Sequence, residues 1–237
     1  MNRLLSKTGL AAGLLLAGAV CASASTVQIN VLDASGDGSG AAANTSNNYA
    51  ANYGAFIPSG ATWTPGDANV VTPPPGTTDG TYRSPFDGNA LEDVNSFFAV
   101  GPSPNDPNPV KLVFSGAQSV LNILWGSIDS YNTLSFSAIG GGGSDVSITG
   151  ADVASAVNAA FSGTCGSPAN FGCTALVSFS ILDDTGASTT FGTVAFKSTD
   201  QQAFEFALAP IPLPAGGLLL LSALGGIVAL RRKKRTG

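Results

Sequence analysis

Short runs of alternating apolar and polar residues recur along this 237-residue chain, with the period of two expected of half-buried strands. Residues 26–31 carry Val27, Ile29 and Val31 on one face. Residues 110–114 read the same way, and 119–125, rich in Leu and Ile, read as a strand buried on both faces. Leu134, Phe136 and Ala138 alternate with polar partners in 132–138 before a run of glycines at 140–143. Residues 175–182 and 189–196 form two further strands, joined through Asp183-Asp184-Thr185-Gly186, a turn-forming sequence. Residues 202–208, with Phe204 and Phe206 on one face, supply the closing strand. One segment changes period: in 149–161, Val153, Ala156, Val157 and Ala160 share a helical face, Thr149 is placed to cap, and Asp152 follows three residues later. Residues 33–48 and the proline-rich 49–110 predict loops with short strands between them. Many short strands and one helix predict an all-β domain, a β-sandwich with one short helix.

The two ends have a different pattern. Arg3 and Lys7 precede an apolar stretch at 10–20, and Ala22-Ser23-Ala24 offers a small-residue cleavage site, so 1–24 is expected to be a signal peptide, helical at its apolar centre. Acylation at Cys21 is the alternative, but Gly18-Ala19-Val20 is a poor lead-in to it. At the other end, Pro210, Pro212 and Pro214 precede an uncharged run at 215–230 and then Arg231, Arg232, Lys233, Lys234 and Arg235. The prolines are hostile to helix, so a transmembrane helix is expected over about 214–230, with the cations on the cytoplasmic side. At ~1.5 Å per residue such a helix spans roughly 24 Å, short of a hydrocarbon core of ~30 Å. The expected organisation is a signal at 1–24, an ectodomain at 25–209 and a tail at 210–237.

Ile211-Pro212-Leu213-Pro214-Ala215, followed by the Leu- and Gly-rich run and the basic cluster, resembles the PEP-CTERM class of sorting signal, in the variant whose motif is Val-Pro-Leu-Pro-Ala. The departures are Ile for Val and the lack of Pro-Glu-Pro. The resemblance implies recognition and cutting by an exosortase, a membrane transpeptidase, after export by Sec and signal peptidase. It also implies inner-membrane anchoring, with the ectodomain outside, and then transfer to the cell surface or extracellular matrix. The block at 124–134 and the closing Ala203-Phe204-Glu205-Phe206 resemble a subset of exosortase-dependent surface proteins, which implies a surface domain with no known reaction.

Charge and composition narrow the chemistry. Only Arg83, Lys111 and Lys197 of the ten basic residues fall in 25–209, against all fifteen acidic ones, a net charge of about −12. Nucleic acid is a poor partner for such a surface. The chain has no histidine, which removes Ser-His-Asp and Cys-His catalysis, and zinc lacks ligands. Cys165 and Cys173 form an even pair in an exported segment and are expected to close a disulfide loop. Asp33 and Asp37, spaced among glycines and a serine, make a weak calcium loop without the distal glutamate of an EF-hand. Trp125, Asp129, Tyr131 and Asn132 combine aromatic faces with hydroxyl-binding groups, the residue types that grip a sugar, though Trp125 equally suits a core. Asn44-Thr45-Ser46 is a formal glycosylation sequon. Asp183 and Asp184 read as turn residues, and Glu92 and Glu205 have no evident partner. The expectation is a non-enzymatic exported envelope protein associated with extracellular matrix or biofilm, with extracellular polysaccharide as a candidate partner; the alternative is a surface-displayed carbohydrate-binding module.

Overall fold

A computed structural model describes residues 25–35, 53–64, 69–71, 83–86, 95–101, 108–161, 165, 173–199 and 203–208. Twelve strands and one α-helix follow in chain order: β1 (Thr26–Ser35), β2 (Ala61–Thr64), β3 (Asn69–Val71), β4 (Phe97–Val100), β5 (Val110–Gln118), β6 (Leu121–Gly126), β7 (Asn132–Ser137), β8 (Val146–Thr149), α1 (Gly150–Ala160), β9 (Thr174–Leu182), β10 (Ser188–Thr189), β11 (Phe191–Ser198) and β12 (Phe204–Leu208). A seven-stranded sheet runs β1-β9-β6-β12-β4-β3, with β10 also on β9, and a five-stranded sheet runs β2-β5-β11-β7-β8. The two-sheet, all-β body with one short helix is the one the alternation predicts.

The sheets pack through the faces that carry the large apolar residues. Phe196 of β11 stacks on Phe206 of β12 with centroids 4.1 Å apart, joining the two sheets. Trp63 meets Phe98, Phe196 and Phe206 at interplanar angles of 67°, 65° and 61°, the edge-on arrangement that suits a ring quadrupole. In β11, Val194 lies in register between Leu112 and Phe136.

Register also fixes a second apolar face on the outside of the larger sheet. Ala207 pairs with Leu124, Leu124 with Leu176, and Phe97 with Val71. These residues cluster with Tyr53, Phe86, Ala99 and Ala203, separately from the inter-sheet core. Sheets apolar on both sides must be covered on both, and here the cover comes from residues near 53 and from the 83–86 segment. Gly54 bridges Leu208, and the Asn95 side chain donates to the Tyr53 carbonyl.

The helix begins where Thr149 predicts. Its hydroxyl accepts from the Asp152 N–H, and the Asp152 carboxylate accepts from the Thr149 N–H, a complete capping box. The buried positions are Gly150, Val153, Ala154 and Val157, so Ala154 replaces the expected Ala156 and Ala160 on the inner face. The helix packs chiefly on β1. Strand β8, immediately before the helix, has no counterpart in the expected elements.

The larger correction concerns the membrane. Among the described residues no helix is long and apolar enough to cross a membrane. The described domain therefore gives no support to the expected C-terminal anchor at about 214–230, which lies outside those residues, or to the exosortase partnership, envelope location and sorting function read from it. The signal helix at 1–24, the motif Ile211 to Ala215 and the basic residues 231–235 lie outside the described residues.

Candidate functional site

The end of β6, the turn after it and the start of β7 hold all four residues singled out for a ligand, and the structure separates them. Trp125 is fully buried and stacks on Phe204, centroids 4.4 Å apart. Its faces are occupied by the core, so it presents nothing to a sugar. Asn132 is also fully buried, and neither its Nδ2 nor its Oδ1 finds a hydrogen-bonding partner in the protein. Asp129 and Tyr131 are half-buried in the turn between them. The Tyr131 hydroxyl donates to Asp129 Oδ2 at 2.7 Å, and the Ser127 hydroxyl donates to the same oxygen at 3.4 Å. The turn is pinned from behind. The Ile128 N–H donates to the Cys173 carbonyl at 2.8 Å, and a Cβ on Gly150 would collide with the Asp129 carbonyl oxygen. The sugar-facing set is therefore a core tryptophan, a core asparagine and a self-bonded turn.

The cysteines pair as expected, with Cα atoms 5.1 Å apart. The Cys165 N–H donates to Asn158 Oδ1 near the end of α1, and Cys173 leads directly into β9. The bond thus ties the end of the helix to the start of a central strand.

Of the weak calcium pair, Asp33 lies inside β1 at a register shift between Val31 and Asp33, and its Oδ1 accepts from the Ala34 N–H. Partial burial raises its carboxyl above the usual value. Asp37, like Asn44 and Glu92, lies outside the described residues. Among the described residues no group of three or more His, Cys, Asp or Glu is placed to hold a metal ion. Asp183 is a turn residue: its Oδ1 accepts from the Thr185 N–H and hydroxyl and from the Ala187 N–H, bonds that hold its carboxyl below the usual value.

The residue with unusual chemistry is Glu205. Strand alternation sends it to the face opposite Phe204 and Phe206, which reads as solvent. That face is covered, and Glu205 is only 2 % exposed. It sits between Ala99 and Gly126 in register, on the same face as Ala203 and Ala207. These small neighbours leave room for the 83–86 segment above it. The Arg83 N–H donates to Glu205 Oε1 at 2.9 Å. Gly126 lets Pro85 settle on the sheet, since a Cβ there would lie 2.9 Å from Pro85 Cα. Ser84 is buried and accepts from the Phe86 N–H through its hydroxyl, and Phe86 is fully buried in the outer apolar cluster. Glu205 Oε2 is buried with no hydrogen-bonding partner. Burial pushes the carboxyl well above its usual 4.5, against the Arg83 hydrogen bond and with the Asp129 charge raising it further. Ala-x-Glu-x-Ala in a strand, one carboxylate among small apolar neighbours, is the signal in the sequence that marks this face as covered.

No family model, curated protein or solved structure matches the chain. The likeness of the tail to the PEP-CTERM class rests on residues 210–235 alone.

Proposed function

We propose that the described domain is a non-catalytic structural module, a β-sandwich stapled by one disulfide, and that its acidic residues serve folding and not turnover. The observation that carries this reading is the placement of Glu205. A catalytic carboxylate with a raised pKa works at the wall of a cleft, where substrate reaches it. Glu205 instead lies beneath the 83–86 segment, with Pro85 on Gly126 and Phe86 sunk into the apolar face. The remaining carboxylates with resolved partners support the same reading. Asp152 completes a helix cap, Asp183 closes a turn, and Asp129 accepts from its own turn.

The test is a substrate panel of glycans, esters and peptides offered to the purified full-length protein, with Glu205→Gln alongside. The reading expects no turnover by either. Turnover by the parent that disappears in Glu205→Gln overturns it.

A further inference from the structure

We propose that Glu205 and the 83–86 segment form a pH-sensitive latch, closed over an uncharged carboxyl and opened when that carboxyl ionises.

The closed state has a clear construction. Four residues lie across the outer face of the larger sheet, and at least three contacts fasten them. Arg83 binds Glu205 through its backbone N–H, Pro85 rests on Gly126, and Phe86 fills the apolar cluster. The first fastening depends on a titratable group and the other two do not.

The closed geometry serves a neutral carboxyl and fails a charged one. One oxygen of Glu205 has a donor; the other is buried without one. A neutral acid tolerates that arrangement at modest cost, whereas a carboxylate with one oxygen dry and unpaired bears a large desolvation penalty. The charged groups facing Glu205 do not remove the penalty. Arg83 on the segment draws it down, and Asp129 on the β6–β7 turn pushes the other way. From β4, β6 and β12 the face presents Ala99, Leu124, Gly126, Ala203 and Ala207, none of which ionises. Among the described residues, Tyr53 of the covering layer and Tyr131, bonded to Asp129, are the nearby phenols. The cheapest way to hydrate Oε2 is to lift the 83–86 segment, because the sheet beneath is fixed by antiparallel ladders on both sides of β12. Lifting it exposes Phe86 and the apolar face below. Loss of a proton on one carboxyl thereby becomes exposure of a hydrophobic surface.

Trypsin reads the latch directly, because Arg83 is the cleavage site on the segment. Full-length protein is digested briefly from pH 6 to 9, and the rate of cutting after Arg83 is normalised to that of an unstructured peptide with the same flanking residues. The latch predicts a normalised rate that rises at least several-fold across this range. In Glu205→Gln, neutral at every pH, the rate stays low and flat. A second variant guards against misfolding of the first: Asp129→Asn removes a like charge, so its rise occurs at lower pH than in the parent. A flat parent profile overturns the latch, as does a Glu205→Gln profile that rises with the parent's, or an Asp129→Asn midpoint that is unmoved or higher.

Discussion

Trp125 and Glu205 lie one register step apart along the β6–β12 ladder, and alternation sends them to opposite faces of one sheet. Trp125 packs between the sheets. Its replacement by alanine is expected to cost about 3–5 kcal/mol, the usual range for emptying a large aromatic site, measured by urea unfolding. Glycan binding that survives folding controls in the parent and is lost in Trp125→Ala would contradict the core assignment. Gly126 works by lacking a side chain. Gly126→Ala places a methyl against Pro85, so cutting by trypsin after Arg83 is expected to quicken even at pH 6, the low end of the range in which the latch is read. An unchanged rate would mean that the segment does not rest on this glycine. Residue identity left Trp125 open between a core and a ligand face, and did not show that Glu205 is covered. Its cover comes from residues more than a hundred positions earlier in the chain, a pairing that alternation cannot carry.

At the scale of elements, local rules worked where the partners are close in sequence. The capping box of α1 uses residues three apart, and Thr149→Ala is expected to cost about 1 kcal/mol through loss of the cap. Circular dichroism across a urea titration would test this, and an unchanged midpoint would count against the cap. The disulfide closes a loop with a sequence separation of eight. Converting both cysteines to serine is expected to cost about 2–3 kcal/mol in the chain-entropy account. Amide exchange should rise first near Asn158 and at the start of β9, the two places the bond joins. Uniform loosening across the domain would argue against that local role. The helix face was only half legible. Val153 and Val157 are buried as the period predicts, whereas Ala154 is buried in place of Ala156 and Ala160 in a helix that packs chiefly on β1.

Across the whole molecule, opposed titrations shape stability. A carboxyl whose folded pKa lies above its unfolded value holds its proton more tightly in the native state. The stability from Glu205 is therefore complete below about 4.5 and is lost as pH rises through the raised folded value. Asp183 acts in the opposite sense. Its lowered carboxyl adds stability above about 3.8, which is lost as pH falls through the folded value. Urea midpoints from pH 3 to 9 are expected to fall on the acid side and again on the alkaline side. Glu205→Gln should remove the alkaline fall and leave the acid one. Parallel curves for parent and variant would show that Glu205 does not set the alkaline limb.

The sequence by itself determined the class of the domain. Period-two alternation, turn residues and one change to helical period are local signals, and they yield strands, turns and α1 without knowledge of neighbours. It also pointed to the cysteine pair, Cys165 with Cys173, close in sequence and bonded in the structure. The tertiary structure decided which faces are wet. Strand order brings β12 beside β6 and β4, and the 83–86 segment crosses over them, so a glutamate that alternation sends outward ends in a dry layer. It likewise decided that Trp125 and Asn132 are interior. A side chain's chemistry is written in its residue type, but its exposure depends on distant segments that fold over it.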